Sequence, residues 1–493
     1  METPDIRIRL LNDASIRKEG EFVLYWMVAN RRVNWNFSLQ RAVEHCAALD
    51  KPLLVFEALR TNYRWASDRL HRFVIQGMAD NNRSLSDSQA TYYPYVEPEP
   101  NAASGLLEEL ANRACIVVTD DFPCFFIPTM LRWVSRKVST RMEAVDSNGL
   151  LPMRAADKVF PTAYAFRRFL QKMLPEHLSH FPKDSAFRGI SLPELDGVPS
   201  SVLKRWPAAS ADLLTGDIGQ LASLEIDHTV GPASFDGGTQ AAAKALQQFL
   251  SSRLHRYADD RNNPDNEAAS GFSPYLHFGH LSSHEVFFHL AKREGWSIDS
   301  LGDHASGKRE GWWGMSPATE SFLDELITWR EVGYNMCSQR RDYDKFESLP
   351  DWARKTLEEH ANDPREQIYS LEELEHSKTS DEIWNAAQRE LVRDGRMQNY
   401  LRMLWGKKIL GWTEHPRQAL DFMIELNNKY AVDGRNPNSY SGIFWCLGRY
   451  DRPWGPERQV FGKIRYMTSD STRRKLPMSG YLERYGDRSG RLF

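Results

Sequence analysis

The sequence predicts two unlike halves: an α/β N-terminal domain on a doubly wound parallel sheet, then a larger all-α C-terminal domain. Three observations carry this. Near the N-terminus, short apolar runs alternate with amphipathic stretches, the pattern of buried parallel strands and their covering helices. Beyond Thr239 helical periodicity and capping signals take over. Between the two, residues 191–238 are rich in Pro, Ser, Gly and Asp and weak in periodicity, as in a linker. The expected divisions are therefore 1–190, 191–238 and 239–493.

In chain order, residues 22–27 (FVLYWM), 52–56 (PLLVF) and 115–119 (CIVVT) read as buried strands. Helices are expected over 38–49, 67–85, 105–112 and 128–140. Sheets of this kind bind ligands beyond their strand C-termini, which marks Thr119-Asp120-Asp121 as a ligand position. No G-x-G-x-x-G follows the first strand, so an ordinary dinucleotide fingerprint is absent. Ser282-x-x-Glu285 and Thr379-x-x-Glu382 read as capping boxes, opening helices over 286–292 and through Val392.

Composition excludes several classes. Hydrophobic residues are 41% and charged residues 26%, which fits a globular protein and argues against disorder. No apolar run reaches the ~18 residues of a membrane span, and the start, Met-Glu-Thr-Pro-Asp, lacks a secretory n- and h-region. The expectation is a cytoplasmic monomer, nucleoid-associated in a bacterium. The five scattered cysteines form no C-x-x-C pair. That excludes a zinc ribbon and suits reduced thiols; no metal is expected. Net charge is −3, yet residues 400–493 carry 17 Lys/Arg against 9 Asp/Glu. A basic segment on an acidic remainder permits a polyanion site there, or simply a solvated surface.

The chain has 15 tryptophans where roughly six would be ordinary. Ten lie between Trp296 and Trp454. Trp405 and Trp412, seven apart, share a helical face, and Trp384 opens the preceding helix. Core packing is the default for each. Phe322, Glu325 and Trp329 fall on one α-helical face, where burial between aromatics would make Glu325 a proton donor and an arginine partner would make it a structural ion pair. Ser270-Gly-Phe-Ser-Pro places hydroxyls and backbone N–H groups ahead of a helix, suited to a phosphate or to a plain N-cap. Asp433-Gly-Arg-Asn-Pro-Asn438 is a turn-rich loop whose Asp and Arg face a polar ring edge or fix the turn.

Taken together, these segments resemble the photolyase/cryptochrome family, most closely the class II cyclobutane pyrimidine dimer photolyases. The resemblance runs through nearly the whole chain. Its strongest motifs are SPYLHFGHLS (273–282), FLDEL (322–326), WNAAQ (384–388), RMLWGKKILGW (402–412), KYAVDGRNPNSYSG (429–442) and VFGKIRYM (460–467). Tyr25-Trp-Met, with Arg32-Val33, looks like the opening motif of the class, and Val145-Asp146 like its later N-terminal strand.

The resemblance implies that the helical domain binds FAD, active as the reduced anion FADH⁻. Tyr257, Ser270, Gly271, Phe272 and Ser273 match its phosphate and ribityl contacts. Asn399 matches a residue beside the flavin, Arg402 and Asp433 the pair beside the isoalloxazine, and Asn427 the residue facing N5. Trp329 and Trp445 match the aromatics that sandwich a flipped dimer, with Met403 beside them, and Glu325 the acid that hydrogen-bonds it. Trp384, Trp405 and Trp412 match the relay that re-reduces the flavin, and Lys463 and Arg465 match DNA contacts. The implied activity is light-driven splitting of pyrimidine dimers in DNA by a carbon–carbon lyase. The alternative is a cryptochrome-like flavin photoreceptor without repair. Relatives carry a deazaflavin antenna or none, and residues 86–100 give no assignment. Gln398 and Leu404 depart from the family pattern, the second leaving no tyrosine branch at that position.

Overall fold

The computed structural model describes residues 2–487. Its one sheet has six strands: β1 (Ile8–Leu10), β2 (Phe22–Met27), β3 (Leu53–Leu59), β4 (Thr91–Val96), β5 (Ala114–Asp120) and β6 (Met142–Val145). They lie in the order β1-β6-β5-β2-β3-β4. All neighbours are parallel except β1, which runs antiparallel to β6. Every residue of β2 and β5 is buried, which is why they read as unbroken apolar runs.

The sheet is covered on both faces, as expected. Val23, Tyr25 and Met27 point to the helix Phe37–Leu49. Phe22, Leu24 and Trp26 point to the helices Leu106–Arg113 and Ile127–Ser135 on the other side. The period of two along β2 thus feeds two separate cores.

Two local expectations are corrected, and one strand lies where none was expected. The helix expected over 128–140 ends at Ser135, because the chain must turn back toward β6. Arg141 already pairs with β5 through the Val117 N–H. Strand β4 lies within the unassigned stretch 86–100 and contains Pro94. A proline is tolerated there because β4 is the sheet edge. The helix Glu382–Asp394 is capped by Asp381, whose carboxylate accepts the Trp384 N–H at 3.0 Å, and not by Thr379. The Thr379 hydroxyl donates to Asn385 instead, at 2.7 Å.

The strand-end ligand position is also corrected. Asp120 is consumed by the fold. Its carboxylate accepts the N–H groups of Val28, Ala29 and Asn30 at 2.7–3.0 Å and the Tyr25 hydroxyl at 2.9 Å. Asp121 is bridged by Arg9, and the Thr119 hydroxyl donates to Trp26 O. Asp120→Ala leaves three backbone donors stranded, so a loss of about 3 kcal/mol or more is expected in denaturant unfolding.

Residues 191–238 carry three short helices, Ser200–Arg205, Ala211–Leu214 and Ile218–Leu221. The segment follows the β4 edge: Ala209 N–H donates to Pro94 O, and the Trp206 indole donates to Ala102 O. From Gly238 onward the described chain is helical apart from turns and isolated bridges. The two halves meet through buried polar contacts. Glu331 accepts the N–H groups of Leu150 and Leu151, and the Arg32 guanidinium donates to Gly279 O. Gly279 sits at φ +73°, and a Cβ there would lie 2.1 Å from Ala29 O, so only glycine allows this approach. Among the described residues no helix is long and apolar enough to cross a membrane.

Candidate active site

The polar centre lies between the helices Asn399–Trp412, Pro416–Tyr430 and Pro437–Cys446. Arg402, on the first, pairs with Asp433 through two contacts of 3.3 Å. The Ser273 hydroxyl donates to the same carboxylate at 2.7 Å. The turn that presents Asp433 is fixed by Arg435, at φ +64°, whose buried guanidinium donates to Asn428 O and Val432 O. The two charged residues of this loop therefore divide the work: Asp433 faces Arg402 and Arg435 holds the backbone.

Asn427 is 2% exposed, and its amide nitrogen donates to Ser439 Oγ at 2.7 Å and Asn428 Oδ1 at 3.2 Å. Asn428 Oδ1 also accepts the Arg435 N–H, which fixes its orientation and, through it, that of Asn427. The Asn427 amide oxygen is left as the acceptor. Nearby, Phe272 and Tyr257 are buried in an aromatic cluster with Phe249 and Phe322. Gly271, at φ +74°, has open space where a Cβ would stand. Ser270 Oγ accepts the Phe272 N–H at 3.4 Å, and Asn399 is exposed at the first turn of its helix. Gln398 caps that helix by accepting the Leu401 N–H, and its amide donates to Arg261 O. Its departure from the family pattern thus serves as an N-cap here. The donor set fits FAD: a guanidinium with donors to spare, an oriented amide oxygen, hydroxyls and an open glycine backbone.

Glu325 and Trp329 stand on a π-helical turn, Asp324–Trp329, between two α segments. The expectation of one α-helical face through Phe322 is corrected. A π turn adds a residue and changes the angular step. Phe322 turns into the core, while Glu325 and Trp329 remain partly exposed. Glu325 meets Arg261 at 2.6 Å, and Arg330 serves other partners, Asn148 O and the Tyr334 hydroxyl. Burial pushes the Glu325 carboxyl above the usual range, and Arg261 opposes that. Met403 and Trp445 are partly exposed too. They come from adjacent helices, and a Cβ on Gly442 would lie 3.8 Å from Met403 Cε.

The three tryptophans form a continuous array, in an order the sequence does not show. Trp405 and Trp384 are parallel, with centroids 6.4 Å apart and an interplanar angle of 2°. Trp384 then meets Trp412 edge-on at 5.5 Å. Trp384, from a different helix, stands between the two that share one. The Trp384 indole donates to Trp405 O and the Trp405 indole to Gln388. At the outer end Tyr369 packs against Trp412 at 5.2 Å, its hydroxyl reaching Gln367 and Ser380. Leu404 is buried, and Tyr369, the aromatic at the outer end, comes from a distant segment.

Lys463 is exposed and paired with Glu457 at 2.9 Å. Arg465 is paired with Asp451 at 3.0 Å and lies over both Trp454 and Trp445, at 4.2 and 5.3 Å from the ring centres. Arg261 and Tyr369 did not emerge from the sequence reading, and Gln388 appeared there only as the end of the WNAAQ motif, with no role. Only Arg261 had a usable signal, its i,i+4 spacing from Tyr257, over whose ring it lies at 5.6 Å.

Over 484 residues, 97% of each chain, the sequence is 34% identical to the deoxyribodipyrimidine photo-lyase of Methanothermobacter thermautotrophicus. The chain belongs to the photolyase/cryptochrome family. It is an enzyme of that family, a lyase. The Arabidopsis thaliana deoxyribodipyrimidine photo-lyase is 33% identical over 485 residues, 97% of this chain and 92% of its own. That of Potorous tridactylus is 30% identical over 481 residues, 96% and 83% respectively. A bacterial class III photolyase from Agrobacterium tumefaciens shares the fold, with TM-score 0.66, 17% identity, and coverage of 94% of this chain and 86% of that one. No family model matches the sequence.

Proposed function

We propose that this photolyase-family enzyme binds FAD and repairs DNA by light-driven splitting of cyclobutane pyrimidine dimers, as a class II member. The observation that carries the reading is the ordered array Trp405–Trp384–Trp412, whose innermost member shares a helix with Arg402. The class assignment rests on the RMLWGKKILGW and WNAAQ motifs that build this array.

Arg402, Asp433 and Ser273 would hold the ring edge of FAD, and Ser270, Gly271, Phe272, Tyr257 and Asn399 its remainder. Reduced FAD, when bound there, would supply the light-driven one-electron donor and acceptor that opens the dimer ring. The Asn427 amide oxygen would accept a hydrogen bond from an N–H at the flavin edge. A damaged pair costs less to unstack than a sound one, so flipping favours the lesion. Trp329 and Trp445 recover stacking on its faces, roughly 1–3 kcal/mol per base. Protonated Glu325 donates to a dimer carbonyl as negative charge develops there. Trp405, Trp384 and Trp412 conduct electrons inward to restore the reduced cofactor. Lys463 and Arg465 neutralise phosphates, exchanging their carboxylate partners for DNA.

The decisive experiment is an oligonucleotide carrying one thymine dimer, incubated with fully reduced protein in blue light and in darkness. Monomer recovery in light alone is expected. Flavin binding without recovery would assign the chain to the photoreceptor alternative.

A further inference from the structure

The domain holds two kinds of tryptophan within a small volume, and their electrostatic surroundings differ. Lys407 lies on the same helix as Trp405 and Trp412 and is fully buried. Its ammonium donates to Cys446 O at 2.7 Å and lies 4.9 Å from the centre of the Trp445 ring. Burial lowers the Lys407 pKa to about 8, leaving the charge in place at neutral pH. Cys446, Asp451 and Arg465 are the titratable or charged groups that bear on it. Asp451 is engaged by Arg465, and among the described residues no carboxylate forms an ion pair with Lys407. Arg465 contributes a second cation to the same indole, largely offset by Asp451. The relay is built otherwise. Trp384 and Trp405 hydrogen-bond a carbonyl and an amide oxygen, and Lys408, whose ammonium lies 5.2 Å from the Trp412 ring centre, is paired with Asp381 at 3.0 Å.

We propose that Lys407 keeps Trp445 from being oxidised, so that light-driven oxidation runs along Trp405, Trp384 and Trp412 and spares the substrate clamp. The role assigned to Trp445 rests on the function proposed above. The suppressed step is a one-electron transfer from the Trp445 indole to photoexcited oxidised flavin, which would leave the indole with a unit positive charge. An unpaired ammonium against its face, in a low-dielectric interior, opposes that charge. Oxygen dipoles on the relay indoles favour it. Lys407 acts through Trp445 and is a positioning residue in this sense.

Two measurements test this. In the first, the protein is exposed to azide radical, a one-electron oxidant of indoles, and oxidation at Trp445 is quantified by peptide mass spectrometry with Trp329 as internal reference. Lys407→Met and Lys407→Gln should raise the Trp445:Trp329 ratio at least about tenfold. Lys407→Arg, which keeps the cation, should leave it near wild type. In the second, photoreduction of oxidised flavin is followed with the relay blocked by Trp405→Phe. Adding Lys407→Met should restore photoreduction, and further adding Trp445→Phe should abolish the gain. An unchanged oxidation ratio in both neutral variants, or no gain in the flavin-bound double variant, overturns the inference. Normal photoreduction in Trp405→Phe alone would defeat the relay reading, and the oxidation ratio would still decide the role of Lys407.

Discussion

Trp405→Phe should abolish photoreduction of oxidised flavin while leaving pre-reduced protein able to repair a dimer in light. The geometry explains the separation. Trp405 is stacked on Trp384 at 6.4 Å, and Trp384 meets Trp412, the most exposed of the three, at 5.5 Å. Phenylalanine preserves an aromatic ring in the buried site but is far harder to oxidise than indole. It also frees the Gln388 oxygen that the Trp405 indole now satisfies, so a modest stability loss of about 1 kcal/mol is expected beside the functional one. Transient absorption after a laser flash should show the tryptophan radical signal in wild type and its loss in the variant. A normal signal would break the assignment of Trp405 as first donor. In the proposed function, electron transfer to a bound dimer starts from already reduced flavin and does not use this path, so the repair yield is the internal control.

Glu325→Ala should reduce the repair yield per absorbed photon roughly tenfold or more, with flavin absorbance unchanged. Losing a hydrogen bond to a group that becomes charged costs about 1.5–3 kcal/mol. The structure adds a contest that composition could not reveal. Burial raises the Glu325 pKa and favours the acid, while Arg261 at 2.6 Å favours the carboxylate. Glu325→Gln separates the two contributions, because glutamine keeps a neutral donor and loses only the ion pair. The yield should recover substantially in Gln relative to Ala. Equal losses in both would show that the Arg261 pair, and not proton donation, is what the reaction needs. An unchanged yield in Glu325→Ala would remove the residue from the chemistry altogether.

Much of the fold was legible because it depends on local rules. Strands β2, β3 and β5 announce themselves as apolar runs, since a parallel sheet covered on both faces has no polar alternation to show. Strand β4 did not, because Pro94 argues against a strand unless one already knows that it lies at the edge. The end of the helix Ile127–Ser135 was overestimated because the pairing of Arg141 with β5 is a long-range fact. At the proposed site, the ordering of motifs brought out Arg402, Asp433, Asn427 and the tryptophans. The pairings Arg261–Glu325, Lys407–Trp445 and Tyr369–Trp412 join distant positions that no short pattern connects. The π turn at Asp324–Trp329 is equally invisible, because one inserted residue in a turn leaves no mark of its own on the sequence.

The sequence by itself determined the two-part architecture, the family and the inventory of aromatic and charged residues from which a light-driven site can be assembled. These follow from periodicity and motif order, both properties of neighbours along the chain. Tertiary structure decided which tryptophan stands between which, that Asp120 caps the sheet and is not free for a ligand, and that a buried ammonium lies on the face of Trp445. An indole's ease of oxidation and a carboxyl's proton affinity depend on charges a few ångströms away, and in this chain those charges arrive from segments tens of residues distant.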